Sequence, residues 1–197
     1  RLDRKIRIAA VNYMNALPLV HGFIEGRLND RIKLQFEHPA TVASMLLTNE
    51  VDVGLVPVAI LPELAESYII SDYCIATEGE VASVCVFSDV PFEEITGIYA
   101  DYQSRSSVAL LKILLQHHWK KDIPLLEATI GYEDRISGGT AGLVIGDRAL
   151  LQRHKSANIY DLGTAWKSFT GLPFVFAAWV SNKKLEEDFI NQFNDAT

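Results

Sequence analysis

Clusters of polar residues follow several short apolar runs of the sequence, and one cluster has the side chains that bind carboxylates. The segment Ser104-Arg105-Ser106-Ser107 follows an apolar run and opens a helical pattern. Ligands of parallel sheets bind beyond the carboxyl ends of the strands, where helix N-termini supply N–H groups. Three hydroxyls, one guanidinium and a helix N-terminus suit a carboxylate. Capping needs only one of these serines, so we favour an anion site at Ser104, Arg105, Ser106 and Ser107.

Three further positions are candidates, each with a structural alternative. Tyr13 and Asn15 follow the first apolar run, where Asn15 is explained equally well as the N-cap of the next helix. Asp147 follows a later apolar run, and a helix cap is again the equal alternative. Ser83 stands inside the apolar run Val81–Phe87. The hydroxyl of a serine in a strand usually bonds to backbone, so a place facing a ligand is the less common outcome.

Signatures of common nucleophilic, nucleotide-binding and metal-binding sites are missing from the sequence. It contains no GxSxG elbow, no GxxxxGK[ST] loop and no GxGxxG after a strand. The glycines of Gly138–Gly142 have the wrong spacing for a dinucleotide site and are interpreted as a turn. The histidines lack the spacing of metal ligands, and the adjacent His117 and His118 diverge by about 100° on a helix. We therefore expect no metal.

Composition limits the class of protein and its partners. The 197 residues include 18 Lys and Arg against 25 Asp and Glu, a formal charge of −7, which argues against nucleic acid or an anionic membrane. An apolar fraction of 49 % is typical of a globular protein. No apolar run approaches the roughly 18 residues of a membrane helix, and no signal peptide is recognised. Cys74 and Cys85 are interpreted as buried thiols, so we expect a cytoplasmic protein. Oligomeric state is not indicated.

Strand and helix patterns alternate along the chain, which predicts an α/β fold with right-handed crossovers. Apolar runs predict strands over residues 6–11, 32–36, 51–56, 81–87, 95–100, 141–145 and 174–180. Helical periods begin at Asn15 and Pro39 and cover Ser104–Trp119, a helical turn covers residues 150–154, and a last helix starts at Leu185.

A faint internal repeat predicts two lobes. Val51–Leu61 and Thr140–Leu150 both have the pattern of a buried strand that runs directly into a helix. We expect residues 1–84 with 178–197 to form one lobe and residues 85–177 the other, joined by two crossing strands. That connectivity is typical of hinged proteins with a ligand cleft.

Seven sequence blocks, in order along the chain, resemble the chorismate dehydratases of the futalosine route to menaquinone, the MqnA family. The blocks are Val11–Leu19, Asp52–Val58, Val81–Val84, Asp101–Ser107, Ile145–Leu150, Tyr160–Trp166 and Thr170–Ala177. The sequence also resembles the sister dihydroxynaphthoate synthase, but the Asn-x-x-Pro-Leu opening at Asn15 fits the dehydratase better.

The resemblance implies a fold, a reaction and a set of residues. The fold is the type II periplasmic-binding-protein fold, with two α/β lobes around a cleft. The reaction removes water from chorismate to give 3-[(1-carboxyvinyl)oxy]benzoate, with no cofactor and no metal. The family's catalytic pair falls on Asn15 and Ser83, and Thr170 falls in a matched block as a substrate contact. The base is either a protein group or the substrate's own enolpyruvyl carboxylate, which Asn15 and Ser83 would orient.

Some features depart from the family or leave another function open. Residues 129–140 do not follow the family pattern, so the resemblance assigns no substrate contacts there. The first residue is not Met and the sequence ends within a predicted helix, so we expect it to be part of a longer protein. The missing acid–base residues are equally consistent with a non-enzymatic solute-binding module for a small carboxylate. A regulatory ligand-binding domain is a third hypothesis. The motif set and the missing export signal favour the enzyme.

Overall fold

The computed structural model describes residues 4–197, which form two α/β units. The first unit extends to Ile75 and resumes at Val175, and the second unit is Ala76–Phe174. The chain thus leaves and re-enters the first unit several residues earlier than the expected boundaries at 84/85 and 177/178. Among the described residues, no helix has the length and apolar character needed to cross a bilayer.

Residues 4–197 contain ten strands and six α-helices, besides short 3-10 and π-helical segments. The strands are β1 Ile6–Ala10, β2 Ile32–Phe36, β3 Val53–Pro57, β4 Tyr68–Thr77, β5 Val84–Ser88, β6 Gly97–Ala100, β7 Leu125–Glu127, β8 Thr140–Ile145, β9 Asn158–Asp161 and β10 Phe174–Ser181. The helices are α1 Leu17–Ile24, α2 Pro39–Leu47, α3 Arg105–Ile113, α4 Gly146–Gln152, α5 Leu162–Thr170 and α6 Glu187–Ala196.

The sheet of the first unit has the strand order β2-β1-β3-β10-β4. Strand β1 is parallel to β2 and β3, while β10 runs antiparallel to β3. The carboxyl ends of β1, β2 and β3 therefore lie at one edge. Buried Trp179 of β10 packs edge-to-face on Phe23 of α1 and Phe193 of α6, which fixes these helices on the sheet.

The sheet of the second unit has the strand order β7-β6-β8-β5-β9. Strands β6, β7 and β8 are parallel, and β5 runs antiparallel to β8 and β9. Val84 pairs with Ile145 and Cys85 with Asp161, so the start of β5 lies beside the carboxyl ends of β8 and β9. This arrangement places the ends of β6, β8 and β9 at one edge together with the residues that precede β5.

Most predicted apolar strands are present, but the sequence patterns misplace several element ends. The strand expected from residue 81 begins at Val84, because Ala82 has φ +59°, outside the extended region. The first helix ends at Ile24, and Leu28 lies beyond it with φ +61°. The helix from Ser104 continues after Ile113 as a π-helical segment, Leu114–Trp119. Strands β4, β7 and β9 and helix α5 were not expected.

A buried carboxylate, Asp52, ties together the N-terminal end of the first unit. It accepts two hydrogen bonds from the Arg4 guanidinium at 2.8 and 2.9 Å, one from the Arg7 backbone N at 2.9 Å and one from Lys183 Nζ at 2.6 Å. Burial alone would raise the pKa of Asp52, but the hydrogen bonds from Arg4, Arg7 and Lys183 outweigh it and hold the pKa well below its ordinary value.

Asp52→Asn is expected to lower the free energy of unfolding by about 3 kcal/mol at neutral pH, since it removes the charge from a buried ion cluster whose cations stay partly hydrated. Because the folded-state pKa of Asp52 is depressed, its contribution is present above the unfolded pKa of about 3.9 and is lost as pH falls. The difference in the free energy of unfolding between the parent protein and Asp52→Asn, measured by urea unfolding, should narrow below about pH 4. Asp188→Asn, at an exposed ion pair with Arg31, is the control. A pH-independent difference would contradict the assignment.

Candidate functional site

The carboxyl edge of the second sheet brings together most of the residues predicted from the sequence for that unit. Ser83 precedes β5, Asp147 follows β8, and Ser104 follows β6 through a short turn. The Ser83 carbonyl accepts a hydrogen bond from Gly146 N at 2.8 Å, which joins the first two of these segments directly. The edge is thus the candidate ligand-binding face of this unit.

Ser83 lies in a tight turn and not in a strand as the apolar run predicted. Its backbone N donates to the Val81 carbonyl at 2.7 Å, and its Oγ lies 3.3 Å from the same oxygen. Ala82, between them, has φ +59°. A hydrogen bond from the N–H of residue i+2 to the carbonyl of residue i, with a positive φ at the residue between them, makes a rare and strained γ-turn. Such strain concentrates at functional sites. Ser83 is half-buried at this edge.

The carboxylate of Asp161, at the end of β9, contacts this turn. Its Oδ2 accepts from Ala82 N at 2.8 Å and from Val81 N at 3.1 Å. Its Oδ1 accepts from Thr164 N at 2.9 Å and so caps α5. The sequence analysis did not single out Asp161, although it lies in the block Tyr160–Trp166 that carried the family resemblance.

The serines before and within α3 differ in what their hydroxyls do. Ser104 is the N-cap, because its Oγ accepts from Ser107 N at 3.1 Å and lies 2.7 Å from Ser107 Oγ. Ser106 and Ser107 are buried, whereas Arg105 is exposed. Capping therefore uses one of the three serines, Ser104, and the anion site at this helix start stays a prediction.

A network that sequence reasoning missed lies beside α3. Arg148 donates to Asp101 Oδ2 at 2.7 Å and to Glu133 Oε1 at 2.6 Å. The buried Tyr132 hydroxyl donates in the same network, to Asp101 Oδ2 at 2.8 Å. Burial, followed by the charge of Asp101, raises the pKa of Tyr132 well above its ordinary value. Asp101 Oδ1 accepts from Gln103 N at 2.7 Å, so the network fixes the turn that leads into α3.

Asp147 and Thr170 occupy different surroundings in the second unit. Asp147 is exposed in the first turn of α4, but no side chain caps that helix, so the capping alternative is wrong. Thr170 ends α5, where its hydroxyl donates to the Trp166 carbonyl at 2.9 Å and accepts from Leu172 N at 3.1 Å. Since α5 starts at the carboxyl edge, nine residues place its end about 13 Å away. Thr170 is not brought together with the other candidates.

The corresponding edge of the first sheet carries Tyr13 and Asn15. Asn15 lies in a 3-10 turn, Met14–Ala16, between β1 and α1. The N-cap of α1 is Ala16, so Asn15 does not cap the helix, contrary to the structural alternative. Both Tyr13 and Asn15 are exposed, and within residues 4–197 the Asn15 side chain has no hydrogen-bond partner. Its amide is available to a ligand.

No group of three or more His, Cys, Asp or Glu side chains in the described part of the chain is placed to hold a metal ion. The donors at the two sheet edges are an amide, hydroxyls and the Arg105 guanidinium, and the carboxylates of Asp101 and Asp161 already accept from backbone N–H groups or an arginine. The candidate residues are therefore suited to hydrogen-bonding an oxygen-rich organic ligand.

Comparisons with known proteins give the family and the fold. Residues 6–197 match the model of a family described as menaquinone biosynthesis. A chorismate dehydratase of Thermus thermophilus is 29 % identical over 191 residues, covering 87 % of this chain and 68 % of that protein. A protein of Archaeoglobus fulgidus has a TM-score of 0.72 at 16 % identity, covering 98 % of this chain and 74 % of that one. A Candida albicans protein described as having the generic periplasmic binding protein fold has a TM-score of 0.57 at 16 % identity, covering 98 % and 69 %. The expected periplasmic-binding-protein fold is confirmed.

The two cysteines differ in accessibility, which corrects the expectation that both are buried. Cys85 is buried with its Sγ 3.4 Å from the Ala82 carbonyl and 3.6 Å from Asp161 Oδ2, while Cys74 is exposed on β4. Burial, followed by the negative charge of Asp161, raises the pKa of the Cys85 thiol to about 12.

A thiol-specific disulfide reagent at about pH 8 is expected to label Cys74 rapidly and Cys85 hardly at all, because the thiolate is the reactive form. The absorbance of the released thiol counts the fast-reacting thiols of the native protein, and the same measurement in denaturant counts both cysteines. In Cys74→Ser the native protein should give no fast reaction. A fast reaction in that variant would contradict the burial and raised pKa of Cys85.

Proposed function

The chain belongs to the menaquinone biosynthesis family, and from this membership we propose that it is a chorismate dehydratase. The observation that carries the proposal is the family match over residues 6–197, joined by the similarity to the chorismate dehydratase of Thermus thermophilus over 87 % of this chain. The substrate is a small dianionic molecule. The free thiols Cys74 and Cys85 fit a reducing, cytoplasmic setting.

The proposed reaction is an elimination that ends in an aromatic ring. A base removes the proton from ring C3, and the electron pair of the C3–H bond forms the new C3=C4 double bond. The C4–O bond breaks, and the hydroxyl group leaves as water with that proton. The C3 hydrogen is vinylogous to the ring carboxylate, so negative charge developing at C3 spreads to that carboxylate. Aromatisation supplies the driving force. The protein then has to orient the substrate and stabilise developing charge.

We propose Asn15 and Ser83 as the residues that act on the reacting part of the substrate. Asn15 offers an exposed amide at the carboxyl edge of its sheet, and Ser83 offers a hydroxyl on a strained turn at the edge of its own. In this scheme the base is the substrate's own enolpyruvyl carboxylate, which the two side chains orient, and no cofactor takes part. The pKa of Asp52 is lowered and the pKa values of Cys85 and Tyr132 are raised, so none of these three groups is suited to exchange a proton near neutral pH.

The remaining candidates are proposed as binding contacts. Tyr13 and Arg105 are exposed and can contact a ligand at their respective edges. Ser104, Ser106 and Ser107 form the start of α3, where the helix dipole favours a carboxylate. Asp147 is exposed at the start of α4 and suits a ligand hydroxyl. Thr170, at the far end of α5, fits a binding role least well because both roles of its hydroxyl are filled within the helix end.

Purified protein is expected to convert chorismate to the aromatic product, with loss of the diene absorbance and release of one water for each product formed. Activity should be the same after dialysis against a chelator, because the proposed elimination uses no metal. The measurement is an ultraviolet time course with product identification by mass spectrometry. Saturable binding of chorismate without turnover would overturn the enzyme proposal and favour a solute-binding module. Activity lost to the chelator and restored by a divalent ion would overturn the cofactor-free scheme.

Asn15→Ala and Ser83→Ala are each expected to lower kcat by about 10²–10³-fold with little change in KM, since they remove donors that act in the transition state. Steady-state kinetics and melting temperature of each variant separate this effect from a loss of folding. Asn191→Ala on α6 and Ser168→Ala on α5, both exposed positions, are the matched controls and should keep normal kcat. Near-normal kcat in both test variants would remove the pair from the mechanism.

A further inference from the structure

We propose that Asp161 is a positioning residue for the reaction, and that its carboxylate sets the direction of the Ser83 hydroxyl by holding the turn before it. The inference rests on the proposed role of Ser83. It starts from an observation that the catalytic proposal does not use: one carboxylate accepts the backbone N–H groups of both residues that precede Ser83.

The two residues before Ser83 are not held by the sheet, although the Ser83 carbonyl itself accepts from Gly146 N. Val81 and Ala82 lie before β5 and outside its ladder, and Ala82 has φ +59°. A positive φ is strained for a residue with a Cβ, so it persists only where the surroundings determine it. A side chain must therefore supply what the ladder does not.

Asp161 supplies most of that support. Two successive N–H groups converge on one anion, an arrangement known as a nest, and here the anion is the protein's own carboxylate. The Ala82 carbonyl accepts from the Arg153 guanidinium at 3.2 Å. Each polar backbone group of Ala82 thus has a charged partner, and charge-assisted hydrogen bonds are stronger than neutral ones.

The carboxylate of Asp161 has two tasks, capping α5 and holding the turn. Oδ1 caps α5 through Thr164 N and also lies 3.2 Å from Val81 N, whereas Oδ2 accepts from Ala82 N and lies 3.6 Å from the Cys85 thiol. A serine at this position keeps the first task, because serine is among the best N-cap residues. It has one shorter hydroxyl arm and cannot also reach the N–H groups of the turn. Asp161→Ser therefore isolates the positioning task, and Asp161→Ala removes both tasks.

Asp161→Ser is expected to lower kcat by about 10–100-fold, since misplacing a group by about 1 Å can cost about 10² in rate, while KM changes little. Asp161→Ala should lower kcat to the same extent and in addition lower the melting temperature, because α5 loses its cap. Glu78→Gln, which removes an exposed ion pair with Lys167 next to the same loop, is the control and should keep normal kcat. Normal kcat in Asp161→Ser, with a low kcat in Ser83→Ala, would overturn the inference and leave the proposed function intact.

The double variant Ser83→Ala/Asp161→Ser separates positioning from a general structural effect. If Asp161 acts through Ser83, the double variant should have the kcat of Ser83→Ala alone, because nothing remains to be positioned. Losses of kcat that multiply would overturn the inference. Normal kcat in Ser83→Ala itself would instead be the failure of the proposed function.

A readout without turnover tests the same contact. Release of the turn should free the backbone N–H of Gly146, which donates to the Ser83 carbonyl and does not contact Asp161. Asp161→Ser is therefore expected to exchange this hydrogen for deuterium faster than the parent protein, with a melting temperature close to that of the parent. An unchanged, slow exchange at Gly146 would show that the turn keeps its place without Asp161, and the inference would then be wrong.

Discussion

Aspartate carboxylates accept backbone N–H groups in both units, and two of these bonds hold loops at the candidate edge of the second sheet. Asp101 accepts the Gln103 N–H after β6, and Asp161 accepts from the turn before β5. Asp52, just before β3, accepts the Arg7 N–H of β1 at the amino-terminal side of the first sheet. A buried N–H without a partner costs about 1–3 kcal/mol. Loop conformations that present each N–H to its carboxylate are therefore strongly preferred over others.

Two of these carboxylates, Asp52 and Asp101, are fully buried and have positive partners, because burying an unpaired charge is costly. Asp52 has Arg4, Arg7 and Lys183 around it, and Asp101 has Arg148. Because of this pairing, the chain's own charges hold these segments in place without a ligand. Donors fixed in advance stabilise developing charge without reorganising during the reaction, which is the property that an orienting site requires.

The sequence predicted the parts of the fold that burial determines and missed the parts that distant polar contacts determine. Continuous apolar runs gave β1, β2, β3, β8 and β10, and the alternation with helical periods gave the α/β class. The edge strand β4 was not predicted because much of it is exposed and its sequence mixes polar and apolar residues. Ser83 was placed inside a strand because its neighbours are apolar. The turn that it occupies is fixed by Asp161, which lies nearly 80 residues away in sequence, and no local pattern carries that information.

A strongly shifted pKa usually marks a functional site, but here it marks structural groups. The buried thiol of Cys85, the buried hydroxyl of Tyr132 and the ion-paired Asp52 have the large shifts, and each is moved away from the range where it would exchange protons at neutral pH. An elimination that ends in an aromatic ring and uses a carboxylate of its own substrate as base makes little demand on such groups. It requires donors that bind more strongly as charge develops. Under the proposed scheme, an enzyme on this fold needs no acid or base of its own, only an amide and a hydroxyl placed to bind the transition state more strongly than the ground state.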